Sequence, residues 1–232
     1  MSSTRSLRTI ALAALTAISL VALNASASAR PATWRTVPLA KLSVTSGAVA
    51  PYSPSLLSTR SGEMRAVELD NGRHATWGRL VFRLLGASDD TKPLGSGLIR
   101  QQIGLKLHAQ DPCNLVYVMW RTAPDSAIAV FVKRNAGQTT SSQCGNNGYT
   151  DMATIPVPAV AAGTRHVLEV RTRRAADGSL VLSVYTDGAL LRSQALPADL
   201  VAGLDGSIGV RSDNGAYAFR LLGAKRVVAA VA

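Results

Sequence analysis

The chain has few of the residues most used for metal binding and acid–base chemistry. Its 232 residues include two cysteines, three histidines and only three glutamates, Glu63, Glu68 and Glu169. Two lone cysteines with His74, His108 and His166 fall short of a zinc site. No G-x-S-x-G, H-E-x-x-H, P-loop or EF-hand string occurs. No block of five or more basic residues marks a nucleic-acid arm, the densest cluster being "RTRR" at 171–174. Long apolar runs are missing too: "IALAALTAISLVAL" near the N-terminus is shorter than the ~20 residues a spanning helix needs, and the C-terminal "VVAAVA" is shorter still. No long segment shows helical spacing.

Several positive features remain. Arg5 and Arg8, the apolar run, and the small residues Ala27-Ser28-Ala29 have the order of a secretory signal peptide, predicted over 1–29. The expected location is therefore secreted, periplasmic or at the cell surface, with no membrane span after cleavage. Residues 30–62, rich in Ser, Pro and Ala, are expected to add a short strand near Trp34 to Val37 or Lys41 to Val44 and a long loop packed on the domain. Residues 63–232 are expected to form one β-rich domain. In an oxidising compartment Cys113 and Cys144 read as a disulfide. The formal net charge of +11 favours anionic partners, and loss of Arg5 and Arg8 would leave it strongly positive. Nucleic acid is not an expected partner.

Beyond residue 62, apolar segments of six to ten residues alternate with Gly, Asp and Asn. "MRAVEL", "TWGRLVFRLLG", "LIRQQIGLKLHA", "NLVYVMWR", "IAVFVKRN", "RHVLEVRTRR", "LVLSVYT", "ALLRSQAL", "GSIGVRS" and "AYAFRLLGAKRVV" read as strands. Asp177-Gly178, Asp187-Gly188 and Asn214-Gly215 read as tight hairpin turns. Many strands without a crossover helix must cover their apolar faces sheet on sheet, so the predicted fold is an all-β, antiparallel two-sheet β-sandwich. "RHVLEVRTRRAADGSLVLSVYTDGALLRSQAL" followed by "GLDGSIGVRSDNGAYAFRLLGAK" resembles the closing half of concanavalin A-like, laminin-G-like jelly rolls. The resemblance implies a jelly roll and admits lectins, glycan-binding modules, glycanases, lyases and adhesion domains.

Strand periodicity also nominates a site. Gln101, Ile103, Leu105 and Leu107 fall on one face of their strand, and Arg100, Gln102, Gly104, Lys106 and His108 on the other. "NLVYVMWR" is apolar on both faces, as an interior strand would be. If these two strands and "IAVFVKRN" are neighbours, one surface gathers Arg100, Gln102, Lys106, His108, Tyr117, Arg121, Phe131 and Lys133. Aromatics can stack on sugar rings while Arg, Lys and Gln bond hydroxyls or carboxylates. The disulfide would frame one end of that groove. The alternative is a solvated sheet face with a restrained loop.

The expected function is non-catalytic, lectin-like binding of an extracellular, anionic polysaccharide. A lyase on such a polymer is the enzymatic alternative, with His108, Tyr117, Arg100 and Gln102 as its residues. That family's "QIH" and "YFKAG" strings are absent. A protein–protein adhesion or envelope module is a third reading. A laminarinase-like glycosidase is disfavoured because "VELDNG" offers Glu68 and Asp70 but places Gly72 where a second glutamate is needed. No cofactor is expected, and Asp205, Asp213 and Asn214 are weak calcium candidates, since they also suit turns.

Overall fold

The computed structural model describes residues 33–69 and 76–224. The predicted signal peptide, Asp70, Gly72 and His74 lie outside the described residues. The strands are β1 (Arg35–Thr36), β2 (Leu42–Ser46), β3 (Ala50–Ser53), β4 (Leu56–Thr59), β5 (Glu63–Glu68), β6 (Trp77–Ala87), β7 (Gln101–Asp111) and β8 (Asn114–Ala123). They continue as β9 (Ala127–Lys133), β10 (Tyr149–Pro156), β11 (Arg165–Arg174), β12 (Leu180–Thr186), β13 (Ala189–Leu196), β14 (Ser207–Asp213) and β15 (Gly215–Ala224). Two one-turn helices, α1 (Ser141–Cys144) and α2 (Ala198–Val201), interrupt them.

The strands form two antiparallel sheets. One has eight strands in the order β13-β12-β11-β6-β15-β4-β3, with β1 also pairing β15; the other has seven, β10-β9-β8-β7-β14-β5-β2. Period-two alternation explains the sandwich. Leu80, Phe82 and Leu84 of β6, Leu168 and Val170 of β11, and Tyr217, Phe219 and Leu221 of β15 meet Ile103, Leu105 and Leu107 of β7 and Val116, Val118 and Trp120 of β8 in one buried cluster. Each such large apolar side chain contributes about 1.5–3 kcal/mol by leaving water.

Three local expectations change. β1 and β2 fall on the two expected strand positions, but residues 50–59, expected as loop, supply β3 and β4, with β3 at the sheet edge and β4 between it and β15. Pro51 is tolerated because β3 ends its sheet, where one side of the strand needs no ladder donor. "YTDMATIP", not among the expected strands, forms edge strand β10, whose weak alternation reflects its exposed position and a bulge between Asp151 and Ala153. Asp177-Gly178 and Asp187-Gly188 do close hairpins, since β11 pairs β12 and β12 pairs β13. Asn214-Gly215 instead carries the chain from one sheet to the other, because β14 and β15 lie in different sheets. Asn214 takes φ 54 there, and a Cβ on Gly215 would stand 2.5 Å from the Tyr217 ring.

A cationic and aromatic face on the seven-stranded sheet

With Ile103, Leu105 and Leu107 turned inward, Gln102, Gly104 and Lys106 face outward from β7. Registration with β8 sets Lys106 beside Tyr117, Gly104 beside Met119 and Gln102 beside Arg121. On β9, Phe131 lies opposite Tyr117 and Lys133 opposite Leu115. On the other side β14 places Gly209, Arg211 and Asp213 against Lys106, Gly104 and Gln102, and β5 places Arg65 against Arg211. The two glycines make room. A Cβ on Gly104 would stand 2.8 Å from the Met119 sulfur and 2.2 Å from the Val118 carbonyl oxygen, and one on Gly209 would press on the Lys106 stem at 3.2 Å.

A pocket of about 350 Å³ opens on this face, lined by Arg100, Gln102, Met119, Phe131, Tyr149 and Arg211 together with Gly95 and Asn146 from flanking loops. Tyr149 stacks on Tyr117 with ring centroids 6.0 Å apart and meets Phe131 edge-on at 6.4 Å. The Arg211 guanidinium lies 5.0 Å from the Tyr117 ring centre and donates to the Tyr149 hydroxyl at 3.2 Å. Arg121 sits 5.8 Å over Phe131. A second pocket of about 360 Å³ borders Val67, Lys106 and Ala109.

One buried carboxylate organises the cations. Asp213 accepts from Arg65 at 2.9 Å, from Arg211 at 2.9 Å and from the Gln102 amide at 2.7 Å. Burial works against its charge, but Arg211, Arg65 and the Gln102 hydrogen bond hold it below the usual carboxylate range. Burial likewise opposes Arg211, which Asp213 and the two tyrosines nonetheless bring above its usual value. Lys106 makes no such ion pair among the described residues. Burial, then Arg65, Arg211 and Lys133, lower its amine to about 7. Burial pushes the Tyr117 hydroxyl up, so it stays protonated. Burial and the charge of Arg100 lower Arg121.

The disulfide Cys113–Cys144 ties the β7–β8 turn to α1 in the β9–β10 loop. Lys133 reinforces it, donating to the carbonyls of Gly145 at 2.7 Å and Pro112 at 3.2 Å, while its ammonium lies 5.1 Å from the Tyr149 ring centre. Burial lowers the Lys133 amine. Asn114 extends the tie, donating to Asp111 and to the Gln138 carbonyl and accepting from the Asn135 amide. The staple thereby anchors the segment leading to Tyr149.

Of the predicted residues, Arg100, Gln102, Lys106, Tyr117, Arg121, Phe131 and Lys133 share this face. Lys133 is committed to the loop carbonyls. His108 requires correction. A bulge between Leu107 and Asp111 breaks the period, His108 adopts φ 49, and its Nε2 reaches Thr172 Oγ1 of the opposite sheet at 2.9 Å. Ala109 faces outward in its stead. Arg65, Arg211 and Tyr149 were not singled out from the sequence. The alternation in "MRAVE" and "GVRSD" could have revealed the two arginines, whereas Tyr149 had no strand pattern around it.

Two of the three calcium candidates are engaged by protein groups. Asp213 is engaged by two arginines, and the Asn214 amide binds the backbone of Lys92 and Arg100. Asp205 lies exposed before the other end of β14. Among the described residues no group of three or more His, Cys, Asp or Glu side chains could hold a metal. Glu68, the carboxylate of "VELDNG", is buried in an ion pair with Arg35.

The fold is that of the concanavalin A-like jelly rolls. The carbohydrate recognition domain of Emp46p in its metal-free form superposes with a TM-score of 0.56 at 8% identity, covering 85% of this chain and 100% of that one. Its potassium-bound form gives 0.50 at 9% identity with the same coverage. A looser match is the alginate lyase vAL-1 from Chlorella virus, with a TM-score of 0.47 at 9% identity over 83% of this chain and 98% of that one. No family model matches the sequence, and no curated protein does.

Proposed function

We propose that this protein is an exported, lectin-like module that holds an anionic polysaccharide on the outer face of its seven-stranded sheet without altering it. The observation that carries this reading is one pocket bordered by Arg100, Arg211, Phe131 and Tyr149, on a face whose buried carboxylate, Asp213, is already shared between arginines. Arginine forks suit carboxylate or sulfate groups, and exposed aromatic rings suit the faces of sugars. The fold shared with the Emp46p carbohydrate recognition domain supports a glycan ligand. The signal-like residues 1–29 support export to where such polymers occur, and among the described residues no helix is long and apolar enough to cross a membrane. The residues proposed to meet ligand are Arg100, Gln102, Tyr149, Phe131, Arg121 and Arg211, with Lys106 and Tyr117 beneath.

The test is incubation of purified protein with acidic and neutral polysaccharides, following protein depletion and ultraviolet absorbance together. Depletion by acidic polymers at constant absorbance is expected. Arg100→Ser combined with Tyr149→Ala should weaken binding roughly tenfold, the scale of losing one charge-assisted contact and one stacked ring. Equal retention of parent and variant would remove this face from the function.

A second reading is a polysaccharide lyase, favoured by one observation. Lys106, with an amine lowered to about 7, stands directly across from Tyr117, whose hydroxyl stays protonated. A near-neutral base beside a protonated acid is what proton abstraction and leaving-group protonation require. Absorbance rising on a uronate polymer, and lost in Lys106→Met, would establish it over simple binding.

A further inference from the structure

The outer face of the eight-stranded sheet carries a separate set of arginines. Those on β6 and β11 alternate with core residues, so Arg79 and Arg83 share an outward face with Arg165, Arg171 and Arg173. Arg79 and Arg171 both bond Glu169. Arg83 and Arg165 lie directly opposite each other across β6 and β11, with no carboxylate partner among the described residues. Arg220 of β15 stands opposite Val81, one diagonal step from Arg83, and its Nε is buried without a hydrogen-bond partner among the described residues. Like charges in register destabilise a sheet pair. An anion laid over Arg83, Arg165 and Arg220 removes that repulsion and meets guanidinium forks shaped for carboxylate or sulfate. A pocket of about 280 Å³ beside this set is lined by Arg79, Arg165 and Arg220 and bedded on Val81, Val167 and Leu222; its two carboxylates, Glu169 and Asp187, already engage Arg79 and Arg171, and His166.

We propose that this face is a second docking surface for a sulfated or carboxylated polysaccharide, placed on the opposite side of the sandwich from the first, so that one molecule bridges two polymer chains. The bridging rests on the function proposed for the first face; the second site does not. Two observations favour a hydrated polymer over other polyanions. None of the exposed large apolar side chains lies on β6, β11 or β15; those of this sheet, Tyr52 and Leu190, stand on the edge strands β3 and β13, so the arginine patch itself lacks the protruding anchors that seat a protein in a bilayer. The nearby rings of Trp34, Trp77 and Tyr185 each carry Arg79 or Arg171 over one face, at 4.1 to 4.9 Å, which leaves less ring surface for stacking on bases.

The experiment compares the parent with Arg83→Ser/Arg165→Ser, which alters two exposed side chains, and with Arg100→Ser/Tyr149→Ala on the first face. Dextran sulfate is the probe, read by salt elution from immobilised polymer and by turbidity on titration. The expected result is that the Arg83/Arg165 variant elutes at lower salt, binds roughly tenfold more weakly and loses turbidity while still binding through the first face. Elution and turbidity identical to the parent would overturn the second site. Loss of all retention in the Arg100/Tyr149 variant alone would overturn it too, leaving the first reading intact. If only the first-face variant is unchanged, the second site stands and the first reading falls. A defect seen on phosphatidylglycerol vesicles or single-stranded RNA but not on dextran sulfate would assign the face to another partner and overturn the proposal.

Discussion

Lys106 is 4% exposed among Arg65, Arg211 and Lys133, and its amine titrates near 7 where an ordinary lysine does so at 10.5. Between those two pH values the unfolded chain therefore holds one proton more than the folded one. Folded stability declines as pH falls through this window, and the full loss is present below about 7. Lys106→Met is expected to raise stability at pH 7 by a few kcal/mol, with the gain shrinking toward pH 10.5, as urea unfolding at the two pH values would show. Asp213 behaves in the opposite sense. Its carboxyl is held below the ordinary 3.8, so its contribution is present above that value and is lost as pH falls through the lower folded value. Asp213→Asn leaves Arg65 and Arg211 without their shared carboxylate, and should cost roughly 3–5 kcal/mol at neutral pH by chemical denaturation.

At the scale of elements, the disulfide connects a turn in one hairpin to the loop that delivers Tyr149. Closing a loop of sequence separation 31 stabilises by roughly 3–4 kcal/mol in the chain-entropy model. Cys113→Ser/Cys144→Ser should lower the thermal midpoint accordingly and weaken polysaccharide binding, since hydrogen bonds from Lys133, Asn114 and Asn135 would then hold the β9–β10 loop without a covalent tie. Unchanged binding in the folded variant would separate the staple from the site. The bulge in β7 matters at the same scale. By turning His108 inward and Ala109 outward it removes an imidazole from the face.

For the whole molecule, the dominant quantity is charge. A formal net charge of +11 over the full sequence, with arginines on the outer faces of both sheets, makes attraction to a polyanion long-ranged at low salt and short-ranged at physiological salt, where the screening length is about 8 Å. Binding to an acidic polysaccharide is accordingly expected to fall steeply between 50 and 500 mM salt, measured as the retained fraction. Salt-independent retention would assign the affinity to ring stacking rather than to the arginines.

Period-two alternation sufficed for the two-sheet fold and for the inward and outward residues of β8, β9 and β7 as far as Leu107, while the pairing of the two cysteines followed from their number and an expected oxidising compartment. These are local properties: which side of a strand a residue occupies depends mainly on its neighbours two positions away. Strand order, bulges and edges are not local. The sheet order brought Arg65 and Arg211, far apart in the chain, onto one Asp213, and a bulge reversed His108. Weak patterning hid β10 and with it Tyr149, because an exposed edge strand has little apolar periodicity to display. The residue types of the face could be read along the chain, but their charge balance, burial and shared partners came from the tertiary structure, since burial and Coulomb coupling depend on distance in space.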